Sequence, residues 1–144
     1  ILKSFQEKRS ESVFQYFASG WNRDELMLKE IGDLLEEEHG DAKEHLVIIL
    51  TDASPNDSFR IHASKDNPLG CNYEDDAGVK DAAKEVRNLK KNGIRVGAIL
   101  FGSHDASKEA RIIYENEYVR MKSVDQLANA AGFLIRKEVA SINV

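Results

Sequence analysis

Leu46-Val47-Ile48-Ile49-Leu50-Thr51-Asp52 is the stretch on which the reading of the whole chain turns. Five apolar residues in succession read as a short strand. They do not alternate with polar residues, so both faces of the strand should be covered. That is the pattern of a parallel sheet with helices on either side. Thr51 and Asp52 then stand at the carboxyl end of the strand, the edge at which open parallel sheets bind their ligands.

The flanking sequence supplies the helices. Upstream, Arg23 to His39 carries Leu26, Leu28, Ile31, Leu34 and Leu35 at helical spacing. Asn22 is placed to cap it, Asp24 and Glu25 suit its first turn, and Gly40 ends it. Downstream, Ala53 to Asp76 is polar, holds Pro55, Pro68 and Cys71, and reads as a long loop of the kind that carries function or motion. A second helix is predicted over Ala77 to Asn92, with Val79, Ala82, Ala83, Val86 and Leu89 inward and Lys90-Lys91-Asn92-Gly93 as its stop. A strand follows from Ile94 to Phe101, then a short helix from Ala106 to Tyr114 and a short strand from Tyr118 to Met121. Ser123 is placed to cap the last helix, Val124 to Ile142, whose expected buried stripe is Leu127, Ala131, Leu134, Ile135 and Val139. Near the start, Ile1 to Phe5 is β-compatible, and Val13, Phe14, Tyr16 and Phe17 form an aromatic cluster. The alternation predicts a single α/β domain, Rossmann-like and doubly wound, with a mostly parallel sheet and helices on both faces.

Composition narrows the function. The 144 residues carry a net charge of −5, with 42% hydrophobic and 31% charged residues, as in ordinary globular domains. The acidic balance argues against a nucleic-acid footprint. The longest apolar run is far shorter than the ~20 residues of a membrane span. One cysteine excludes an internal disulfide. No leader pattern is visible, and a cytoplasmic setting is expected. The opening Ile1-Leu2-Lys3 reads as the middle of a longer chain.

Candidate chemistry concentrates in Thr51-Asp52-Ala53-Ser54-Pro55-Asn56-Asp57 and in Ser19-Gly20-Trp21-Asn22-Arg23-Asp24. Carboxylate, hydroxyl and amide oxygens are hard ligands and suit Mg²⁺, Mn²⁺ or Ca²⁺. The plain alternative is turn and cap hydrogen bonding by the same side chains. His39, His45, His62 and His104 lack metal-ligand spacing. There is no glycine-rich phosphate loop and no nucleophile elbow. Trp21 reads equally well as core anchor or surface contact.

The strand ending Leu50-Thr51-Asp52, the helix after it, the strand Ile94-Arg95-Val96-Gly97-Ala98-Ile99-Leu100-Phe101-Gly102 and the closing Val124 to Gly132 resemble the second half of a von Willebrand factor A domain, and Gly20 to Asp24, Thr51 to Asp57, Tyr73 to Asp81 and Ile113-Tyr114 ahead of Tyr118-Val119 carry a more specific likeness. The likeness is greatest to bacterial intracellular members, those similar to nitric oxide reductase activation proteins and cobaltochelatase subunits. The resemblance implies a metal-ion-dependent adhesion site built from three loops. Asp52 falls on the third-loop aspartate. Asn22, with Asp24 nearby, falls at about the position of a second-loop threonine, a departure from the family pattern. The first loop, Asp-x-Ser-x-Ser, is not found, which implies that the first strands lie upstream of Ile1. A sheet lacking them would present an open edge and tend to pair with a second copy of the chain.

The resemblance thus implies a protein-binding module whose divalent ion takes an acidic side chain from a partner and which works beside a MoxR-type ATPase. Asp52, Asn22 and Asp24 would hold the metal. Ser54, Asn56, Asp57 and Trp21 would meet the partner. Two other readings stay open: a structural module with a degenerate metal site, and a Mg²⁺-dependent hydrolase or phosphotransfer domain using Asp52, for which Ser103, His104 and Asp105 offer little support.

Overall fold

The computed structural model describes residues 22–37, 44–61, 64–65, 68, 70–73, 75–102 and 105–142. The expected elements at Ile1 to Phe5 and Val13 to Phe17 lie outside these residues. Helix α1 (Asp24–Glu37) leads to strand β1 (His45–Thr51). A hairpin of β2 (Asp57–Ile61) and β3 (Cys71–Tyr73) precedes α2 (Asp75–Lys91). Strand β4 (Ile94–Leu100), helix α3 (Ser107–Tyr114) and strand β5 (Tyr118–Arg120) follow. A 3₁₀ turn (Val124–Gln126) opens into α4 (Leu127–Ile142).

β1, β4 and β5 form a parallel sheet in the order β1-β4-β5, with His45 beside Ile94 and Thr51 beside Leu100. The three strands of this sheet and the four helices fall within a few residues of the positions read from sequence, because each is marked by a local apolar pattern and by a stop. Gly93, for example, adopts φ +80° just after α2, and its N–H reaches the Lys90 carbonyl at 3.1 Å. Only a glycine enters that left-handed turn without steric cost.

Alternation along the strands gives the sheet two faces. Ile49, Val96, Ala98 and Leu100 face α2 and α3, joined by Val79, Ala82, Val86, Ile113 and Tyr114 in the main core. Leu28 brings α1 into this core by way of α2. Ile99 faces the other way and packs with Met121, Ala130 and Leu134 under α4. Helices therefore cover both faces, as the continuous apolar run of β1 requires.

Three expectations are corrected. The Ala53 to Asp76 stretch is not simply a loop, since it folds back as the β2–β3 hairpin, with a register shift between Asp57 and Arg60. Ser123 makes no side-chain capping bond, and the last helix begins with a 3₁₀ turn. The stripe predicted for α4 is only partly buried. Leu134 is enclosed, but Ile135 and Val139 are 45% and 49% exposed. Among the described residues α4 is the only helix packed on that face, so its flanks have nothing to bury against. Leu50, on β1, is likewise 51% exposed, and no described strand pairs with the outer edge of β1.

Charged pairs tie down the amino end of the sheet. Arg95 bridges Glu44 at 3.4 Å and Glu138 at 3.0 Å, and Lys137 meets Glu117 at 2.6 Å. Such partly solvated pairs contribute little apiece, but they fix α4 across β4. Among the described residues no helix is long and apolar enough to cross a membrane.

Candidate functional site

At the carboxyl end of β1 the chain must turn sharply and leave polar groups at the rim. Thr51 Oγ1 accepts the Ala53 N–H at 2.8 Å, and Asp52 Oδ1 accepts the Ser54 N–H at 3.0 Å. Ala53, fully buried, sits at φ +56°. That left-handed conformation costs a non-glycine residue on the order of 1 kcal/mol. The turn swings Asp52 outward, so that its carboxylate is exposed at the edge predicted from sequence.

The start of α1 is brought to the same edge by a two-residue bridge. Asn22 N–H donates to the Asn56 carbonyl at 2.8 Å, and Asn56 N–H returns the bond to the Asn22 carbonyl at 3.1 Å. The Asn22 side chain is engaged at both ends. Its Nδ2 donates to Asp24 Oδ1 at 2.7 Å, and its Oδ1 accepts from Asn56 N–H at 3.3 Å. Asn22 thus links two loops rather than capping the helix as its position suggested.

Asp24 is the unusual group. It is 8% exposed, and its Oδ2 has no hydrogen-bond partner. Burial raises its pKa above the ordinary carboxyl value. The Asn22 hydrogen bond opposes this, while the charges of Asp52 and Glu25 add to it. A carboxylate oxygen buried without a partner is costly, and one that persists calls for a ligand or a proton. The Tyr114 hydroxyl, at the end of α3, is also buried, with the Thr51 side chain beside it; burial and the charges of Asp24 and Asp52 raise its pKa above the ordinary phenol value. Sequence alone marked Tyr114 only as a residue near the last strand.

The adjoining residue, Glu25, is satisfied instead. Its Oε1 accepts from Arg23 Nε at 2.8 Å, and its Oε2 accepts from the Tyr73 hydroxyl. Arg23 lies 4.4 Å over the Tyr73 ring and 4.0 Å from Asp57. Tyr73, fully buried at the end of the hairpin, therefore pins the first turn of α1. Its pKa is driven well above the ordinary phenol value by burial and by Glu25. Gly78 makes room for this packing: a Cβ there would meet the Pro55 carbonyl oxygen at 2.8 Å and the Tyr73 ring at 3.1 Å.

Of the residues singled out by sequence, Asn22, Asp24 and Asp52 meet at one edge. Ser54 and Asn56 are exposed and line a cleft of about 260 Å³ that opens beside them, between the first turns of α2 and α3. Asp57 is buried beside Arg23 rather than offered to solvent. Trp21, Ser103 and His104 lie outside the described residues. Asp105 is taken up by Ser107 and Arg120.

The donor set suits a hard cation. Asp24 Oδ2 and the Asp52 carboxylate are oxygen donors of the hard kind, and the hydroxyl of Thr51 lies on the same turn as Asp52. Among the described residues no group of three or more His, Cys, Asp or Glu is close enough to hold a metal by itself. The site would therefore complete its shell with water, as Mg²⁺ usually does. Set against known protein families, curated proteins and solved structures, the chain has no match.

Proposed function

We propose that the chain is a von Willebrand factor A-like module that holds a divalent cation, Mg²⁺ or Mn²⁺ with Ca²⁺ as the alternative, and binds proteins through it. The observation that carries the reading is Asp24 Oδ2, a buried carboxylate oxygen without a partner at the edge where Asp52 is exposed. Asp24 and Asp52 would hold the ion. Asn22 keeps Asp24 in place and would contribute its own oxygen only by giving up Asn56. When bound, the cation offers a coordination position to an acidic side chain of a partner protein.

The residues of the chain do the rest. Ser54 and Asn56, on the wall of the adjoining cleft, present a hydroxyl and an amide to the partner's backbone. Trp21, which precedes Asn22 in the sequence, would add a contact. The partner is a protein complex assembled or activated with the help of a MoxR-type ATPase, in the cytoplasm, and the chain serves recognition rather than catalysis. The occupied ends of the Asn22 amide favour a second reading, a structural module whose metal site has decayed.

Titration calorimetry with Mn²⁺ and Mg²⁺ separates the two. Wild-type chain is expected to give binding heat that Asp52→Ala loses by at least about tenfold in affinity, since one of two carboxylates is gone. Asp52 is exposed and its side chain holds only the Ser54 N–H of the turn, so the variant should lose no more than about 1 kcal/mol of stability by urea denaturation. No heat from wild type would favour the decayed site.

A further inference from the structure

Asn92-Gly93 is the chain's one Asn-Gly pair, and the fold itself asks for it. α2 ends at Lys91, and the chain turns at once into β4 at Ile94. The turn passes through Gly93 at φ +80°, where a residue with a Cβ is strained. Asn92 and Gly93 are both exposed. No side chain of its own residue stands over the Gly93 nitrogen, the atom next in line to the Asn92 side chain. That side chain is also a link: its Nδ2 donates to Glu36 Oε1 at 3.2 Å and so joins the residue after α2 to the last turn of α1.

We propose that Asn92 deamidates in the folded chain, and that the carboxylate so formed loosens the ends of α1 and α2. The Gly93 nitrogen attacks Asn92 Cγ and closes a cyclic imide. The bond from Cγ to Nδ2 breaks, and ammonia leaves with the proton of the Gly93 N–H. Water then opens the ring at one of its carbonyls, giving aspartate or the isomer whose chain runs through the side-chain carboxyl. Two bonds open first: the Gly93 N–H leaves the Lys90 carbonyl, now at 3.1 Å, and the Asn92 amide leaves Glu36. Both lie at an exposed helix end, where opening costs least. The product is disfavoured twice over. Glu36 would face a second carboxylate where it now accepts a hydrogen bond, and the new charge would stand at the negative end of α2. Lys90, in that last turn, is drawn off to Glu115 at 2.7 Å. The proposal stands apart from the cation reading.

Folded wild-type chain, held in mildly alkaline buffer and mapped by peptide mass, tests the site, with urea-unfolded chain in the same buffer as reference. Conversion of amide to acid should appear at Asn92 before any other asparagine of the folded chain, and faster still in the unfolded one. Asn92→Asp, a surface change that leaves the core intact, tests the consequence. Its urea midpoint should fall below that of wild type at low salt, and the fall should shrink by about half or more in a Glu36→Gln background, as for any directly coupled pair. Conversion of Asn92 in the unfolded chain but not in the folded one, or of another asparagine first in the folded chain, would overturn the site. An Asn92→Asp chain as stable as wild type, or one whose loss is the same with and without Glu36, would overturn the loosening.

Discussion

Asp24→Asn is expected to weaken Mn²⁺ and Mg²⁺ binding about ten- to a hundredfold while making the metal-free fold more stable at neutral pH. The carboxylate is buried, one oxygen accepts from Asn22 Nδ2 at 2.7 Å, and the other has no partner. Asparagine keeps the shape and keeps an oxygen for Asn22, but it removes a charge held away from water. The folded-state pKa of Asp24 lies above its ordinary value, chiefly through burial. The folded chain therefore holds this proton more tightly than the unfolded chain does. That advantage is complete below the unfolded carboxyl pKa of about 4 and is lost as pH rises through the folded value. Above it, the ionised group weighs against folding. The gain from Asp24→Asn should be small at pH 4 and grow to about 1 kcal/mol near pH 7.5, since the change removes a buried charge but leaves an amide NH₂ where the unpartnered Oδ2 was. Urea denaturation in the presence of a chelator measures it. A variant less stable than wild type at pH 7.5 would mean that the Asp24 carboxylate has a structural partner.

Leu28→Ala should cost about 2–5 kcal/mol, the range for a fully buried leucine truncated in a core that cannot collapse around the gap. Leu28 is completely enclosed, whereas its neighbours Leu26 and Met27 are exposed. α1 packs on α2, and Leu28 is its one fully buried apolar anchor in the main core, with Leu35 half-buried beside it. The helix also carries Asp24 and Glu25 in its first turn. Loss of the anchor should loosen that turn, so the variant should show a lower urea midpoint together with weaker Mn²⁺ binding. A cost under about 1 kcal/mol would mean that the Arg23, Glu25 and Tyr73 network alone holds α1 in place.

β1, β4 and α2 were legible because their signals are local: a continuous apolar run, a second such run, and a 3.6-residue stripe ended by Lys90-Lys91-Asn92-Gly93. The rim position of Asp52 followed from the same logic, since a residue just past a parallel strand has little choice. The β2–β3 hairpin was not legible. Its stretch is polar, interrupted by Pro55 and Pro68, and its pairing slips between Asp57 and Arg60. Nor was the role of Tyr73, whose hydroxyl meets Glu25 across 48 positions of sequence. The α4 stripe was read correctly as apolar, yet apolarity does not guarantee burial. Ile135 and Val139 need a neighbour that the described residues do not supply. The burial of Asp24 and of the Tyr114 hydroxyl is likewise a property of tertiary packing, and no local pattern announces it.

Paramagnetic broadening by Mn²⁺, followed through the backbone amide signals of the chain, tests most directly whether two carboxylates at this edge grip a divalent ion. At substoichiometric Mn²⁺ the signals of Asp24, Asp52, Ser54 and Gly102 should vanish first, Gly102 because its α-carbon side faces Asp52 at van der Waals range. Those of Arg95 and Glu138, at the opposite end of the sheet, should persist. Broadening centred instead on Asp33 and Glu36, or spread evenly over the acidic surface, would contradict the account.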